Sequence, residues 1–186
     1  MQKRKDWNGL IAGFKASDLV FLDESGCNTD MTRRYAYSLG GSRAVDSAPL
    51  SKTRNTTILS SIQLDGTLHY TTFSGGTTVE RFKRYLETDL LPHLNGDSIL
   101  IMDNMKSHHA KAAKNLLDSS GVRYIYLPPY SPDLNPIEKL WSKVKSFLRK
   151  FKARTLDALP NAIQRAFQTV SPSDCSGWFK SCDYLH

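Results

Sequence analysis

Leu127-Pro-Pro-Tyr-Ser-Pro-Asp-Leu-Asn-Pro-Ile-Glu138 is the stretch on which the reading of this chain turns. It holds four of the eight prolines and ends on an acid just inside a helix. Pro128 and Pro129 have no N–H to give to a sheet ladder, so the apolar run that Leu127 closes must stop there. Asn135 is a favourable N-cap and Pro136 has the φ of a first helical residue, which puts Glu138 at the third helical position. Beyond it, Ile137, Leu140, Trp141, Val144, Leu148 and Phe151 form one apolar face. A proline-stiffened arm thus delivers one carboxylate to one helix start.

Upstream of the arm, Val122–Leu127 reads as a strand and Ser107–Ser119 as a helix closed by Gly121. Ser98-Ile-Leu-Ile-Met102 is a fully apolar strand that ends on an acid, Asp103. Thr77-Thr-Val-Glu80 has the form of a capping box, opening a helix with Val79, Phe82, Leu86 and Leu90 on one stripe and Pro92 as its stop. Asp65-Gly66 between Thr56–Leu64 and Thr67–Phe73 is a strong hairpin signal. Leu19-Val-Phe-Leu22 is a second doubly buried strand, and Asp23-Glu24-Ser25-Gly26 after it reads as a polar turn. Between Asp30 and Arg54 the pattern predicts a short strand near Tyr35–Ser38 and otherwise loop. Residues 1–17 form a basic lead-in in which Trp7, Leu10, Ile11 and Phe14 suit one short amphipathic helix. Downstream, a helix near Leu156–Val170 buries Leu159, Ile163 and Phe167, and Ser171-Pro-Ser-Asp caps a terminal helix with Trp178 and Phe179. A hairpin feeding alternating strands and helices predicts an α/β fold, a mixed sheet covered by helices, with residues 18–186 as one domain. Sites in such sheets gather outside the carboxyl ends of parallel strands, where this reading places Asp23 and Asp103.

The bulk composition sets bounds. A chain of 186 residues with 40% hydrophobic and 23% charged content can bury a substantial core. No apolar run reaches the length of a membrane span, and the charged start lacks an apolar signal segment, so a cytoplasmic setting without membrane attachment is expected. Cys27, Cys175 and Cys182 are odd in number and have no Cys-x-x-Cys spacing, which fits a reduced interior better than a disulfide framework or a zinc site. A net charge of +7 leans toward a polyanionic partner. From Lys139 to Leu156 seven basic residues occur without one acid. Such a run is either a solvated helix face or a phosphate-contacting one.

Each acid alone has a structural explanation. Asp103 and Asn104 suit a strand-to-helix turn, Asp23 begins a turn, and Glu138 completes an Asn135-x-x-Glu pattern that can return a hydrogen bond to the cap. Together they read differently. Carboxylates at neighbouring strand ends repel one another in a semi-apolar setting unless a cation neutralises them. Oxygen donors without a His/Cys cluster suit Mg²⁺ or Mn²⁺. A third carboxylate on a rigid arm would complete a two-metal site for phosphodiester chemistry.

Three blocks carry a resemblance: Phe21-Leu-Asp-Glu-Ser-Gly26, Met102-Asp-Asn-Met-Lys-Ser-His108, and Leu127 through Trp141. They resemble the blocks of the DDE transposases, closest to the mariner-like bacterial insertion-sequence branch, including its 34 residues between the second and third acids. The resemblance implies a ribonuclease H-like fold, a mixed five-stranded sheet flanked by helices, with Asp23 on the first strand and Asp103 on the adjacent fourth. It implies that Asp23, Asp103 and Glu138 are catalytic metal ligands for two Mg²⁺ or Mn²⁺ ions. The implied reaction is cleavage at transposon ends followed by attack of the 3′-OH on target DNA. His108 matches a histidine of the second block, with a supporting or phosphate role. Asn104 is expected to orient Asp103. Arg33 and Arg34 match the first block, and with Lys139, Lys143 and Lys145 they are the candidate contacts to double-stranded DNA. His109 has no match and is expected to face solvent.

Members of that family carry helix-turn-helix modules ahead of the catalytic domain, whereas 22 residues precede Asp23 here. The expectation is that such modules are absent or separately encoded, that an active form is a homodimer, and that the protein sits with the nucleoid. Two rival readings stand: an inactive or truncated transposase remnant that only binds DNA or a partner transposase, and a housekeeping nuclease on the same fold.

Overall fold

The computed structural model describes residues 2–33, 35–47 and 55–185. Five strands form one sheet: β1 (Leu19–Cys27), β2 (Thr56–Ile62), β3 (Leu68–Ser74), β4 (Ile99–Met102) and β5 (Arg123–Tyr126), in the order β3-β2-β1-β4-β5. The β1–β2 and β2–β3 pairs are antiparallel, whereas β1–β4 and β4–β5 are parallel. The helices are α1 (Gln2–Ile11), α2 (Val79–Tyr85), α3 (Lys111–Ser120), α4 (Ile137–Phe151), α5 (Ala158–Gln168) and α6 (Pro172–Ser181).

The two-residue period of the central strands sorts the core into two layers. Leu19 and Phe21 of β1 join Ile99 and Ile101 of β4 on one face, under Ile137, Leu140, Trp141 and Val144 of α4, Ile163 of α5 and Phe179 of α6. Val20, Leu22, Leu100 and Met102 face the other way, onto Phe82, Tyr85, Leu86 and Leu90 and onto Ala113 and Leu117 of α3. Each large side chain fully buried this way contributes roughly 1.5–3 kcal/mol. The basic lead-in joins this body, since α1 places Trp7 and Ile11 in the α4-side core.

Four expectations are corrected. Asp23-Glu24-Ser25-Gly26 is strand: β1 runs on to Cys27 because β2 pairs with it, Asp23 opposite Ser60 and Gly26 opposite Thr57. The parallel partner β4 stops at Met102, so Asp23 lies where β1 loses its neighbour on that side. Residues 35–38 are not a strand; Tyr35 and Tyr37 stand out in solvent, and the segment pairs with none of the five strands. The cap of α2 is Thr78, whose hydroxyl accepts from the Arg81 N–H, because the Thr77 hydroxyl is drawn to the Glu24 carboxylate. The third helix starts at Lys111, and residues 105–110 form tight turns.

The hairpin closes with Gly66 at φ 92°, its N–H on the Gln63 carbonyl, while Asp65 accepts from the Thr67 N–H at 2.9 Å. Gly121 takes the left-handed conformation that ends α3. Ser171 and Asp174 form a reciprocal capping box on α6. Cys27, Cys175 and Cys182 are free and buried, and burial pushes the Cys27 and Cys175 thiols up to about 11. Among the described residues no helix is long and apolar enough to cross a membrane.

Candidate active site

The alternation that buries Phe21 and Ile101 against α4 also points Asp23 that way, two residues on from Phe21. Its carboxyl is buried and accepts from Trp141 Nε1 at 3.1 Å. Burial pushes the Asp23 carboxyl up to about 7; bonds from the Glu24 backbone and Trp141 oppose this, and the negative charges of Glu138 and Asp103 add to it. Trp141 was legible in the sequence only as a core residue, although it stands one helical turn beyond Glu138.

Asp103 follows the last residue of β4. Its carboxylate accepts from the Met105 N–H at 3.1 Å and from His108 Nδ1 at 2.8 Å. Burial works upward on Asp103, but the His108 bond and charge and the Met105 N–H outweigh it, so this carboxyl lies below its ordinary value. Neighbouring acids thus differ, one held neutral-prone by burial and one held ionised by donors. His108 is fully buried against the Phe82 ring at 4.4 Å, and its Nε2 has no hydrogen-bond partner among the described residues. His109 is exposed, stacked on Tyr126 at 4.1 Å. Glu24, on the opposite face of β1 from Asp23, is half-buried beside His108 and bonded to Thr77; burial raises its pKa. No sequence motif singled it out.

The arm begins where the Leu127 N–H meets the Met102 carbonyl at 2.8 Å. Asn104 Nδ2 donates to the Leu127 carbonyl at 2.7 Å, and its Oδ1 meets His109 Nε2 at 3.3 Å. Asn104 therefore clips the arm to the end of β4, and does not orient Asp103. A 3₁₀ turn, Pro132–Leu134, follows, with the Leu134 carbonyl accepting from the Tyr184 hydroxyl at 2.7 Å. Asn135 is extended and Pro136 already helical, so the helix breaks where the sequence puts it. The cap bond is not made, however: Asn135 Oδ1 is buried without a partner among the described residues, and α4 has no side-chain cap bond at its start. The Glu138 side chain is exposed and faces the cleft.

Asp23, Asp103 and Glu138 all line one cleft of about 420 Å³, walled by Asn104, Met105 and the arm from Leu127 to Asn135. In this conformation no group of three or more His, Cys, Asp or Glu side chains among the described residues is drawn tightly enough to hold a metal ion. The donor set nonetheless fits a hard divalent cation: three carboxylates share the cleft, the charged form of Asp23 is destabilised by the other two, and no cysteine or histidine is among the lining residues.

The basic candidates divide. Lys143 is held by Asp174 of α6 at 2.6 Å. Lys139 is exposed on the same side of α4, sharing a shallow groove with Lys143 and Lys150. Lys145 and Arg149 line a groove beside Gly26 and Asn28 at the end of β1. Arg33 is exposed near Lys150 and Lys152, and Arg34 lies outside the described residues. Arg154, not singled out from the sequence, donates to the Thr29 and Met31 carbonyls and holds that segment to the end of α4.

A mixed sheet in this order, with acids opening at the carboxyl edge of its central parallel pair, defines a ribonuclease H-like domain with an acid-lined cleft. The comparisons with known proteins agree. The family model described as DDE superfamily endonuclease matches residues 18–160, well over half of the sequence, and the chain belongs to that family. The Tc1 transposable-element transposase of Caenorhabditis elegans is 26% identical over 97 residues, which is 50% of this chain and 36% of that protein. The pre-cleavage Mos1 transpososome shares the fold at a TM-score of 0.79 and 18% identity, over 98% of this chain and 61% of that one. The Mos1 transposase catalytic domain, solved with raltegravir and magnesium, matches at 0.72 and 16% identity, over 98% of this chain and 89% of that one. The chain thus spans about a third of the curated relative and most of the isolated Mos1 catalytic domain.

Proposed function

We propose that this chain is the catalytic domain of a DNA transposase, cutting phosphodiester bonds at transposon ends and joining the freed 3′-OH to target DNA. The observation that carries the reading is the buried Asp23 carboxyl, which shares one cleft with Asp103 and Glu138 at the end of the parallel β1–β4 pair. Asp23, Asp103 and Glu138 would hold two Mg²⁺ or Mn²⁺ ions. Bound there, the ions would supply Lewis-acid activation of the attacking oxygen and stabilisation of the leaving one. Trp141 fixes the Asp23 carboxylate and His108 that of Asp103, while the proline arm sets where Glu138 enters. Such fixed donors reduce the reorganisation that binding would otherwise cost.

The partner is double-stranded DNA, with a homodimer as the active form and end recognition supplied by helix-turn-helix modules. The catalytic domain takes in α1 of the lead-in, whose Trp7 and Ile11 lie in its core, and nucleoid association follows from DNA binding. Lys145 and Arg149 lie seven and eleven residues on from Glu138, hence on its helical face, and are the favoured phosphate contacts along with Lys139, Arg33 and Arg34. Lys143, already paired with Asp174, is the weakest of the original candidates.

The test is nicking of supercoiled DNA with Mg²⁺ or Mn²⁺ by the wild type and by Asp103→Asn. Loss of metal-dependent nicking in the variant is expected; equal activity in the two overturns the reading. A folded protein that binds DNA but never nicks it would favour the remnant reading.

A further inference from the structure

Tyr130 sits at the turn of the arm with φ 56°, and its side chain is 101% exposed. Left-handed backbone is uncommon for a residue with a bulky side chain; in turns such positions fall to Gly or Asn. Tyr130 stands between Pro129 and the 3₁₀ turn that Pro132 begins two residues on. Nothing in the fold compensates for the strain: the ring has no aromatic, cation or hydrogen-bond partner among the described residues. Yet Tyr130 lines the same cleft as Asp23, Asp103 and Glu138. A strained backbone that presents an unpacked aromatic ring at the rim of an acid-lined cleft is a cost to folding, and such strain concentrates at sites of function.

We propose that Tyr130 stacks on a nucleotide base at the strand end that enters the cleft, so that it positions the terminal nucleotide beside the three acids. This rests on the reading of the cleft as a phosphodiester site. The chemistry is general: every base has a flat π-face, a tyrosine presents a flat ring with few rotamers to freeze, and stacking tolerates any sequence. The arm supplies part of the preorganisation, because the prolines on either side of Tyr130 hold its backbone at the rim of the cleft. An unpaired base is the fitting partner, since a base inside a duplex already has both faces covered.

The experiment compares wild type, Tyr130→Phe and Tyr130→Asn in binding a short duplex with a single-stranded 3′ overhang carrying 2-aminopurine. Calcium replaces the catalytic cation so that binding is read without cleavage. The wild type and Tyr130→Phe should quench the fluorophore equally. Tyr130→Asn should lose the quench and bind the overhang about tenfold more weakly, as expected for one stacked base, with its blunt-duplex affinity unchanged. Its thermal midpoint should hold or rise, because Asn takes this backbone conformation readily. A lowered midpoint together with weaker binding of both DNAs would make Tyr130 structural and overturn the inference. So would a quench and affinity in Tyr130→Asn equal to those of the wild type, or no quench by the wild type itself. Nicking retained by Asp103→Asn would instead overturn the phosphodiester reading, whatever the tyrosine does to the quench.

Discussion

Replacing Tyr184 with Phe deletes one oxygen atom and two buried hydrogen bonds. The Tyr184 hydroxyl donates to the Leu134 carbonyl at 2.7 Å and accepts from Trp7 Nε1 at 3.2 Å, which links the first helix, the C-terminal tail and the arm that leads to Glu138. Burial pushes this hydroxyl above its usual pKa, so it remains a donor at any working pH. The ring itself would stay, packed on Phe21 at 4.9 Å. What changes is that the Leu134 carbonyl and the Trp7 N–H lose their partner while Trp7 and Leu134 stay buried. Leaving a buried polar group unsatisfied costs about 1–3 kcal/mol, so two such groups, less the gain from burying an apolar Phe, give about 2–4 kcal/mol. Urea unfolding should show a lower midpoint at unchanged m-value, and in a domain of this size each kcal/mol lowers Tm by roughly 2–4 °C. Trp7→Phe removes only the weaker bond and should cost about 1 kcal/mol of hydrogen bonding beyond the packing lost. The double variant should then cost less than the sum, because the Trp7 donor can be orphaned only once. A Tyr184→Phe protein within ~0.5 kcal/mol of wild type, inside the usual scatter for surface substitutions, would show that the link across 177 residues of sequence contributes nothing to stability.

Three further outcomes are expected. Millimolar Mg²⁺ or Mn²⁺ should stabilise the wild type, by about 2.7 kcal/mol at a hundredfold excess over Kd, and so raise its melting temperature, and Asp23→Asn or Asp103→Asn should abolish that rise in a thermal-shift assay; an equal rise in the variants would take these acids out of the metal site. Gly66→Ala should destabilise the fold by roughly 1–3 kcal/mol in chemical denaturation, since φ is 92° and the new Cβ would lie 3.1 Å from the Pro172 backbone; an unchanged midpoint would refute it. The bond from Lys143, then that from Ser171, hold Asp174 down to about 2. Because the folded-state value lies below the unfolded one, the carboxylate's contribution is complete above about pH 4 and is lost as pH falls toward 2. The wild type should therefore lose stability over that range more steeply than Asp174→Asn, and parallel pH profiles would contradict the assignment.

What the sequence determined by itself was local. The apolar runs Leu19–Leu22 and Ser98–Met102 have no polar face, so only a strand covered on both sides can hold them, and both lie at the sheet centre. Asp65-Gly66, Gly121 and the Ser171–Asp174 box are turn and cap chemistry settled within a few residues, and each stands where its residues put it. Pro136 and Glu138 are of the same kind. The tertiary structure decided whatever depends on a partner distant in sequence. β1 runs past Asp23 to Cys27 because β2 offers it hydrogen bonds, and a polar tetrapeptide that looks like a turn becomes a strand. Thr77 leaves its capping role because Glu24, 53 residues away, takes its hydroxyl. Asn135 makes no cap bond, Asn104 clips the arm, and Trp141 reaches Asp23 across 118 residues. The periodicity of a strand or helix fixes which way a side chain faces, but which group it meets there is fixed only when the layers pack, because a hydrogen bond is decided by distance in space and not along the chain.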